Sequence, residues 1–200
     1  MARDMTPVLK RCRALDIEPA YLGIDKKSNR HSGNGARPKK KSEYGTQLQE
    51  KQKAKFIYGV LEKPFRNYFE KAEKLHYGTT GENLMILLET RLDNVIFRLG
   101  FARTRSEAKQ IVSHRHVAIN GKIVNIPSYA VKPGDVIEIK DAAKSSQRYK
   151  DIAESTNGRI IPEWLSADLD KLSGKVVAMP TADQIDVPVN AVAIVELYNK

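Results

Sequence analysis

Cysteine is almost absent: Cys12 stands alone in 200 residues, so no internal disulfide can form and four thiolates cannot be gathered around a metal. An oxidising compartment is not implied, and the expectation is a cytoplasmic protein. No apolar run approaches the ~18 residues needed to cross a bilayer, and Met1-Ala2-Arg3-Asp4 lacks the apolar core of a secretion signal. Catalytic signatures are missing as well. There is no P-loop, H-E-x-x-H, G-x-S-x-G or paired C-x-x-C, and Gly33-Asn34-Gly35 lacks the third glycine of a dinucleotide site. His114 and His116 flank Arg115 without further ligands, a poor metal pair. These absences disfavour an enzyme, and the expectation is no metal and no cofactor.

Acidic residues are in deficit: 24 Asp and Glu face 34 Lys and Arg, for a net charge of +10. The excess is segregated, at +8 over residues 1–55, +4 over 56–140 and −2 over 141–200. Segregated charge makes a directional field that collects polyanions. A membrane surface is the weaker candidate, because the first 44 residues show no helical stripe of bulky apolar groups opposite their cations. Nucleic acid is the stronger one. Within 1–44, Ser28 to Gly35 is polar and glycine-containing, and Arg37-Pro38-Lys39-Lys40-Lys41 clusters cations that repel one another unless a polyanion lies between them. This segment reads as an arm without a core of its own, ordered by RNA.

From Thr46 to Tyr77 the pattern is helical, with Pro64 in a first turn and Phe65, Tyr68, Phe69, Ala72 and Leu75 on one core-facing stripe. Gln47, Lys51 and Lys55 share another face and are candidates for phosphate contact. Thr79 and Glu82 have capping-box spacing before Leu84, Leu87 and Leu88. Leu92, Val95, Ile96 and Leu99 form the next stripe, closed by Gly100, with Arg91, Asn94 and Arg98 opposite. Thr104 and Glu107 repeat the capping spacing before Ala108, Ile111 and Val112, which places Arg105, Lys109 and Ser113 on an outer face. Val117 to Val124 alternates around Asn120-Gly121, as a type I′ hairpin requires, and Pro133-Gly134 turns the chain into a strand at 136–139. A helix is expected around 144–153, and strands at Trp164-Leu165 and 175–179. Periodicity leaves the apolar tail 192–198 undecided between helix and strand. The fold class is α+β.

The densest constellation runs from Arg91 to Lys122, with seven Lys/Arg against Asp93 and Glu107, or +5 in 32 residues. Cations held on paired helices beside a hairpin can match phosphates at fixed spacing, which suits a folded RNA read by shape. Arginine adds bidentate grip and stacking.

At these residues the chain resembles a known family. Arg91-Leu92-Asp93-Asn94-Val95, Arg103-Thr104-Arg105-Ser106-Glu107-Ala108, Ser113-His114 and 117–122 are similar to the S4 RNA-binding domain. Met1-Ala2-Arg3, Glu43-Tyr44-Gly45, 49–53, 58–62, 81–84 and Val195-Glu196-Leu197-Tyr198 extend the likeness to the bacterial small-subunit ribosomal protein S4 family. The resemblance implies a structural, non-enzymatic protein that binds 16S rRNA at a multi-helix junction and nucleates 30S assembly. It also implies a site near the path by which mRNA enters, a contact with ribosomal protein S5 that bears on accuracy, and existence as a monomer within the 30S subunit. It implies a basic N-terminal arm at 1–44, a helical domain from 45–90 and 184–200 with the tail returning as a helix, and an inserted S4-type domain at 91–183 with two short helices and a small antiparallel sheet. Zinc-bearing relatives have several N-terminal cysteines; with Cys12 alone, no zinc is expected. The candidate RNA-binding residues are Arg3, Lys10, Arg11, Arg13, Arg30, Arg37, Lys39, Lys40, Lys41, Lys51 and Lys55, then Arg91, Asp93, Asn94, Arg98, Arg103, Thr104, Arg105, Ser106, Lys109, Gln110, Ser113, His114, Arg115, His116, Asn120, Gly121 and Lys122. Two competing readings use the same module: an RNA-modifying enzyme carrying it as an appendage, and a factor that binds ribosomal particles transiently.

Overall fold

The computed structural model describes residues 6–26, 42–144 and 146–199. Two hydrophobic cores form, and the chain passes from the first to the second and back. In the first, helix α1 (Val8–Leu15) is followed by a 3-10 turn at Pro19–Leu22, then α2 (Glu43–Tyr58), α3 (Glu62–Glu73) and α4 (Thr80–Glu89). Gly59, left-handed at φ 61°, splits the helical stretch expected from Thr46 to Tyr77 into α2 and α3. The Thr79–Glu82 capping box forms in both directions and starts α4. Residues 6–26 correct one expectation: Cys12, Leu15, Ile17 and Leu22 are buried in this core. Their spacing gives one apolar side, too narrow for a free amphipathic helix yet sufficient once α2 offers a surface.

The second core begins with α5 (Leu92–Arg98) and α6 (Arg105–Ser113), continues through α7 (Asp141–Lys144) and α8 (Gln147–Thr156), and is closed by a sheet. Strands β1 (Val117–Ile119), β2 (Lys122–Val124), β3 (Val136–Ile139), β4 (Leu165–Asp168) and β5 (Ser173–Val176) pair antiparallel in the order β2-β1-β3-β5-β4. Asn120 and Gly121, at φ 49° and 75°, make the expected type I′ turn. The Asn120 side chain also donates to Asp135 at 2.9 Å and accepts from the Val136 N–H at 2.9 Å, joining the two turns of the sheet. The last two strands differ from expectation. β4 runs to Asp168 and β5 ends at Val176, because residues 177–179 are exposed and start the return to the first core. There α9 (Ala191–Tyr198) forms a helix capped by Asn190; it buries Ile194 and stacks Tyr198 on Phe69 at 4.5 Å. Burying one such aliphatic side chain is worth roughly 1.5–3 kcal/mol. No described helix is long and apolar enough to cross a membrane.

The two cores meet at a buried polar joint centred on Glu89. Its Oε1 accepts from the Tyr58 hydroxyl at 2.7 Å and Arg98 Nη2 at 2.9 Å, while Oε2 accepts from Asn94 Nδ2 at 2.7 Å and Arg98 Nε at 3.1 Å. Arg105 Nε donates to Asn94 Oδ1 at 2.8 Å, its Nη1 donates to the Tyr21 carbonyl, and its guanidinium lies 4.3 Å from the Phe97 ring centroid and 5.4 Å from that of Tyr58. Asp186, on the return segment, meets Arg98 at 2.7 Å. Beside this cluster, Arg91 pairs with Asp93 at 3.0 Å and donates to the Tyr68 hydroxyl at 2.9 Å. Four charges thus balance across the joint: Glu89 and Asp186 against Arg98 and Arg105.

This corrects the expected outward placement of Arg91, Asn94, Arg98 and Arg105. The stripe opposite the α5 apolar face faces the first core, so both sides of that helix are covered, and Arg105, Asn94, Asp93 and Arg91 are buried. Burial alone would raise the Glu89 pKa, but Arg98, Arg105 and the Tyr58 hydrogen bond outweigh it and hold the carboxyl below its ordinary range. Burial pushes Arg105 down to about 10, which leaves it charged at neutral pH. Burial, then the neighbouring Glu89 charge, pushes the Tyr58 hydroxyl well up.

A group with a lowered folded pKa stabilises fully above its ordinary value and loses that contribution as pH falls through the folded value. Glu89→Gln is therefore expected to lower unfolding free energy by about 3–5 kcal/mol at neutral pH, because it removes the charge facing the buried Arg105 and leaves the partly buried Arg98 only Asp186. In urea titrations the gap from wild type should narrow as pH falls below 4.5, the ordinary value, towards the lowered folded one; a gap that does not narrow at all on acidification would contradict the role assigned to Glu89. Arg105→Ala should destabilise by a comparable amount, whereas Lys109→Ala, one turn along the same helix, should stay within about 0.5 kcal/mol. Gly23 tests the docking of the N-terminal segment. It sits at φ 75°, and an added Cβ would lie 2.0 Å from the Arg103 carbonyl oxygen. Gly23→Ala should cost more than about 1 kcal/mol and open residues 6–26 to limited proteolysis; unchanged protection would show that this contact is dispensable.

Candidate nucleic-acid interface

A cleft of about 730 Å³ opens where α1 and the C-terminal end of α2 face α6. Its construction follows from local sequence. Gly59 ends α2 in a left-handed turn and leaves that rim without a side chain. Across from it, the Thr104 hydroxyl accepts from the Glu107 N–H at 3.2 Å and starts α6, so the Ser106, Lys109, Gln110 and Ser113 side of the helix lines the opening. The floor is mixed: Leu22, Ile57 and Val60 are apolar and buried, and Arg105 contributes a buried cation.

The sequence-derived candidates fall into several groups. Arg3, Arg30, Arg37, Lys39, Lys40 and Lys41 lie outside the described residues. The cleft brings together Arg11, Lys55, Asp93, Thr104, Arg105, Ser106, Lys109, Gln110, Ser113 and His114. Arg91, Asn94 and Arg98 belong to the joint and do not line it. Lys51 and Lys55 are both bound by Glu62, at 2.9 and 2.6 Å. Lys10 is exposed on α1, and Arg13 is half-buried there. Arg103, with Arg148, is held by Glu107 at 3.3 and 3.2 Å, so the Thr104–Glu107 capping signal is half met: the hydroxyl caps α6, while the Glu107 carboxylate accepts from the Arg103 N–H at 2.9 Å. Arg115, left-handed at φ 63°, and Lys122 are exposed beyond the cleft, and Asn120 and Gly121 form the hairpin turn.

Lys109, Arg115 and Lys122 make no ion pair with any described residue, so their charge faces outward uncompensated. Arg11 gives Nη2 to Gln52 at 3.2 Å, while its buried Nε has no hydrogen-bond partner among the described residues. A donor buried without a partner is costly unless an acceptor arrives. His116 is half-buried, and burial, then His114, Arg148 and Lys140, push its pKa below the ordinary value, so the ring is neutral at pH 7 and suits stacking or hydrogen bonding more than charge pairing. Among the described residues no three His, Cys, Asp or Glu side chains gather as metal ligands.

Sequence reasoning missed Gln52 and Phe56 on the cleft wall, along with Tyr58, Glu89 and Arg159. Arg159 lies 4.4 Å from the Phe97 ring centroid and donates to the Phe97, Ala102 and Arg103 carbonyls, closing the loop between α5 and α6. Glu89 directly follows the apolar run Leu84 to Leu88, but Thr90, Arg91, Asp93 and Asn94 come next, so nothing in the local pattern marks it as buried.

Two family models match the chain, one after the other. Residues 3–89 match the model of the ribosomal protein S4/S9 N-terminal domain, and residues 90–137 match that of the S4 domain. The two matches abut at Glu89 and Thr90, inside the joint, and the second ends within β3, before β4 and β5 complete the sheet. The chain is 72% identical over 200 residues to the protein named small ribosomal subunit protein uS4 of Lachnoclostridium phytofermentans, covering all of both chains. Proteins of the same name from Lachnospira eligens and Agathobacter rectalis are 69% and 64% identical, again over the full length of both. These relatives carry the name of a ribosomal protein and not of an enzyme. With identity of this degree from end to end, and both family models matched in order, the chain belongs to the small ribosomal subunit protein uS4 family.

Proposed function

We propose that the chain is a structural protein of the small ribosomal subunit and binds 16S rRNA through the cleft between its two cores, together with the exposed cations at the end of α6 and on the β1–β2 hairpin. The observation that carries this reading is the cleft itself, which sets the unsatisfied Arg11 donor and the uncompensated Lys109 on opposite walls that the Glu89 joint holds in place. Fixed walls match phosphates at fixed spacing, and that is how a folded RNA junction is told from an arbitrary strand. The family supplies the partner class, since the relatives are named for the small ribosomal subunit.

On this reading the protein engages a multi-helix junction as a primary binder and nucleates 30S assembly. It works in the cytoplasm as one copy within the subunit. The basic residues Arg37 and Lys39 to Lys41 lie near the path of incoming mRNA, and a contact with ribosomal protein S5 contributes to accuracy. The division into a basic arm at 1–44, a helical domain at 45–90 and 184–200, and an S4-type domain at 91–183 belongs to the same proposal. The two cores support its second and third parts, while the packing of Cys12, Leu15, Ile17 and Leu22 into the first core favours an arm whose residues 6–26 dock on the helical domain.

Binding to a 16S junction fragment should fall by about 10³–10⁵ between ~50 and ~200 mM salt if ~6–10 phosphates are contacted. A flat response, or equal affinity for an unrelated transcript of the same length, would refute the reading. Replacing Lys109 and Arg115 together with Ala should reduce the salt slope by about two contacts with the thermal midpoint unmoved; an unchanged slope would place the RNA elsewhere.

A further inference from the structure

Glu62 opens α3 at its first position and faces α2, where it binds Lys51 at 2.9 Å and Lys55 at 2.6 Å. Tyr198, from the returning helix, donates its hydroxyl to the same carboxylate at 3.2 Å, and its ring lies under the Lys51 ammonium at 5.3 Å. The carboxylate is the more exposed partner here. The side chain of Glu62 is 50% exposed, against 13% for Lys51 and 15% for Lys55. At Glu107 the order is reversed: it is 12% exposed beneath Arg103 at 50% and Arg148 at 39%, so an approaching polyanion meets those cations first, whereas Asp186 over Arg98 and Asp141 over Lys144 follow the order of Glu62. Beside Lys55, which lines the cleft, the more exposed group is the Glu62 carboxylate just outside the lining.

We propose that Glu62 is a specificity-determining residue that covers Lys51 and Lys55 against phosphates lacking the matched geometry, so that this side of α2 is repulsive toward arbitrary RNA. The inference rests on the RNA-binding reading above and concerns discrimination within it. Specificity is a difference between affinities, and a negative group at the edge of a positive site lowers the weaker one more, because non-specific binding consists almost wholly of phosphate contacts. A junction held at the cleft by many contacts loses little to one displaced or repelled carboxylate. The strong preference of Glu62 for its charged form, with its pKa lowered to about 2 because the two lysines outweigh partial burial, keeps the cover negative at every physiological pH.

The test compares the full chain with Glu62→Gln for binding to the 16S junction fragment and to an unrelated transcript of equal length, across a salt series. Glu62→Gln should bind the unrelated transcript about ten-fold more tightly at ~50 mM salt, with a slope steeper by one to two contacts, and change junction affinity much less. Adding Lys51→Gln and Lys55→Gln to that variant should abolish the gain, which a loss of stability alone would not do. Unchanged or weaker binding to the unrelated transcript by Glu62→Gln, while wild type still prefers the junction, overturns the role of Glu62 and leaves the RNA-binding reading standing. Wild type with no preference for the junction overturns both. Acetic anhydride labelling of the unmodified protein gives a readout independent of any variant's folding: Lys51 and Lys55 should react several-fold more slowly than the exposed Lys122, and equal rates would refute the cover.

Discussion

The Glu89 carboxylate is the contact on which the arrangement of this molecule depends. It takes hydrogen bonds from α2, from α5 and, through Asn94, indirectly from α6, so one buried anion registers the two cores against each other. Buried ion clusters are weak stabilisers compared with apolar packing, but removing one member is expensive, which makes them good at specifying one arrangement over its neighbours. An apolar seam between the cores would allow sliding. A carboxylate with four directed donors does not, and a cleft whose walls come from different cores needs that fixity to hold its shape.

Cations in this chain therefore do three different jobs that a charge count cannot separate. Arg91, Arg98 and Arg105 are spent inside the protein, where their planar, multiply donating heads satisfy carboxylates and stack on Phe97, Tyr58 and Tyr68. Lys51, Lys55, Arg103 and Arg148 are held by surface carboxylates. Lys109, Arg115 and Lys122 keep their charge for solvent and whatever enters it. The outward field of the Arg91–Lys122 segment is consequently smaller than its formal +5, and it is concentrated at the end of α6 and the hairpin.

Local features of the fold were legible in sequence because local interactions determine them. The Thr79 capping box, the Asn120-Gly121 hairpin, the Pro133-Gly134 turn and the apolar stripes of α3 and α5 each depend on residues within a few positions of one another. The burial of Arg105 was not legible in this way. Helical period alone puts it with Lys109 on a face away from Ala108 and Ile111, and that face becomes interior only because α2 and the Tyr21 turn, distant in sequence, are laid across its first turn. The docking of the N-terminal segment is not legible for a related reason: its buried apolar side chains, Cys12, Leu15, Ile17 and Leu22, are too few to form a core, yet enough to complete one. The apolar tail lacked any period to separate helix from strand, and the groove between α2 and α4 decides for helix by burying Ala193 and Ile194 while Asn190 supplies the cap.

The route of the chain through its two cores has a consequence for how the molecule is made. The second core is assembled from a single continuous stretch, from Leu92 to Val176, whereas the first lacks Ile194 and the Tyr198 ring until α9, which follows that stretch, has been added. During synthesis from the N-terminus the later core can close while the earlier one still presents an open apolar groove along α2 and α4. Helix α9 thus acts as a keystone, set after the arch around it is standing.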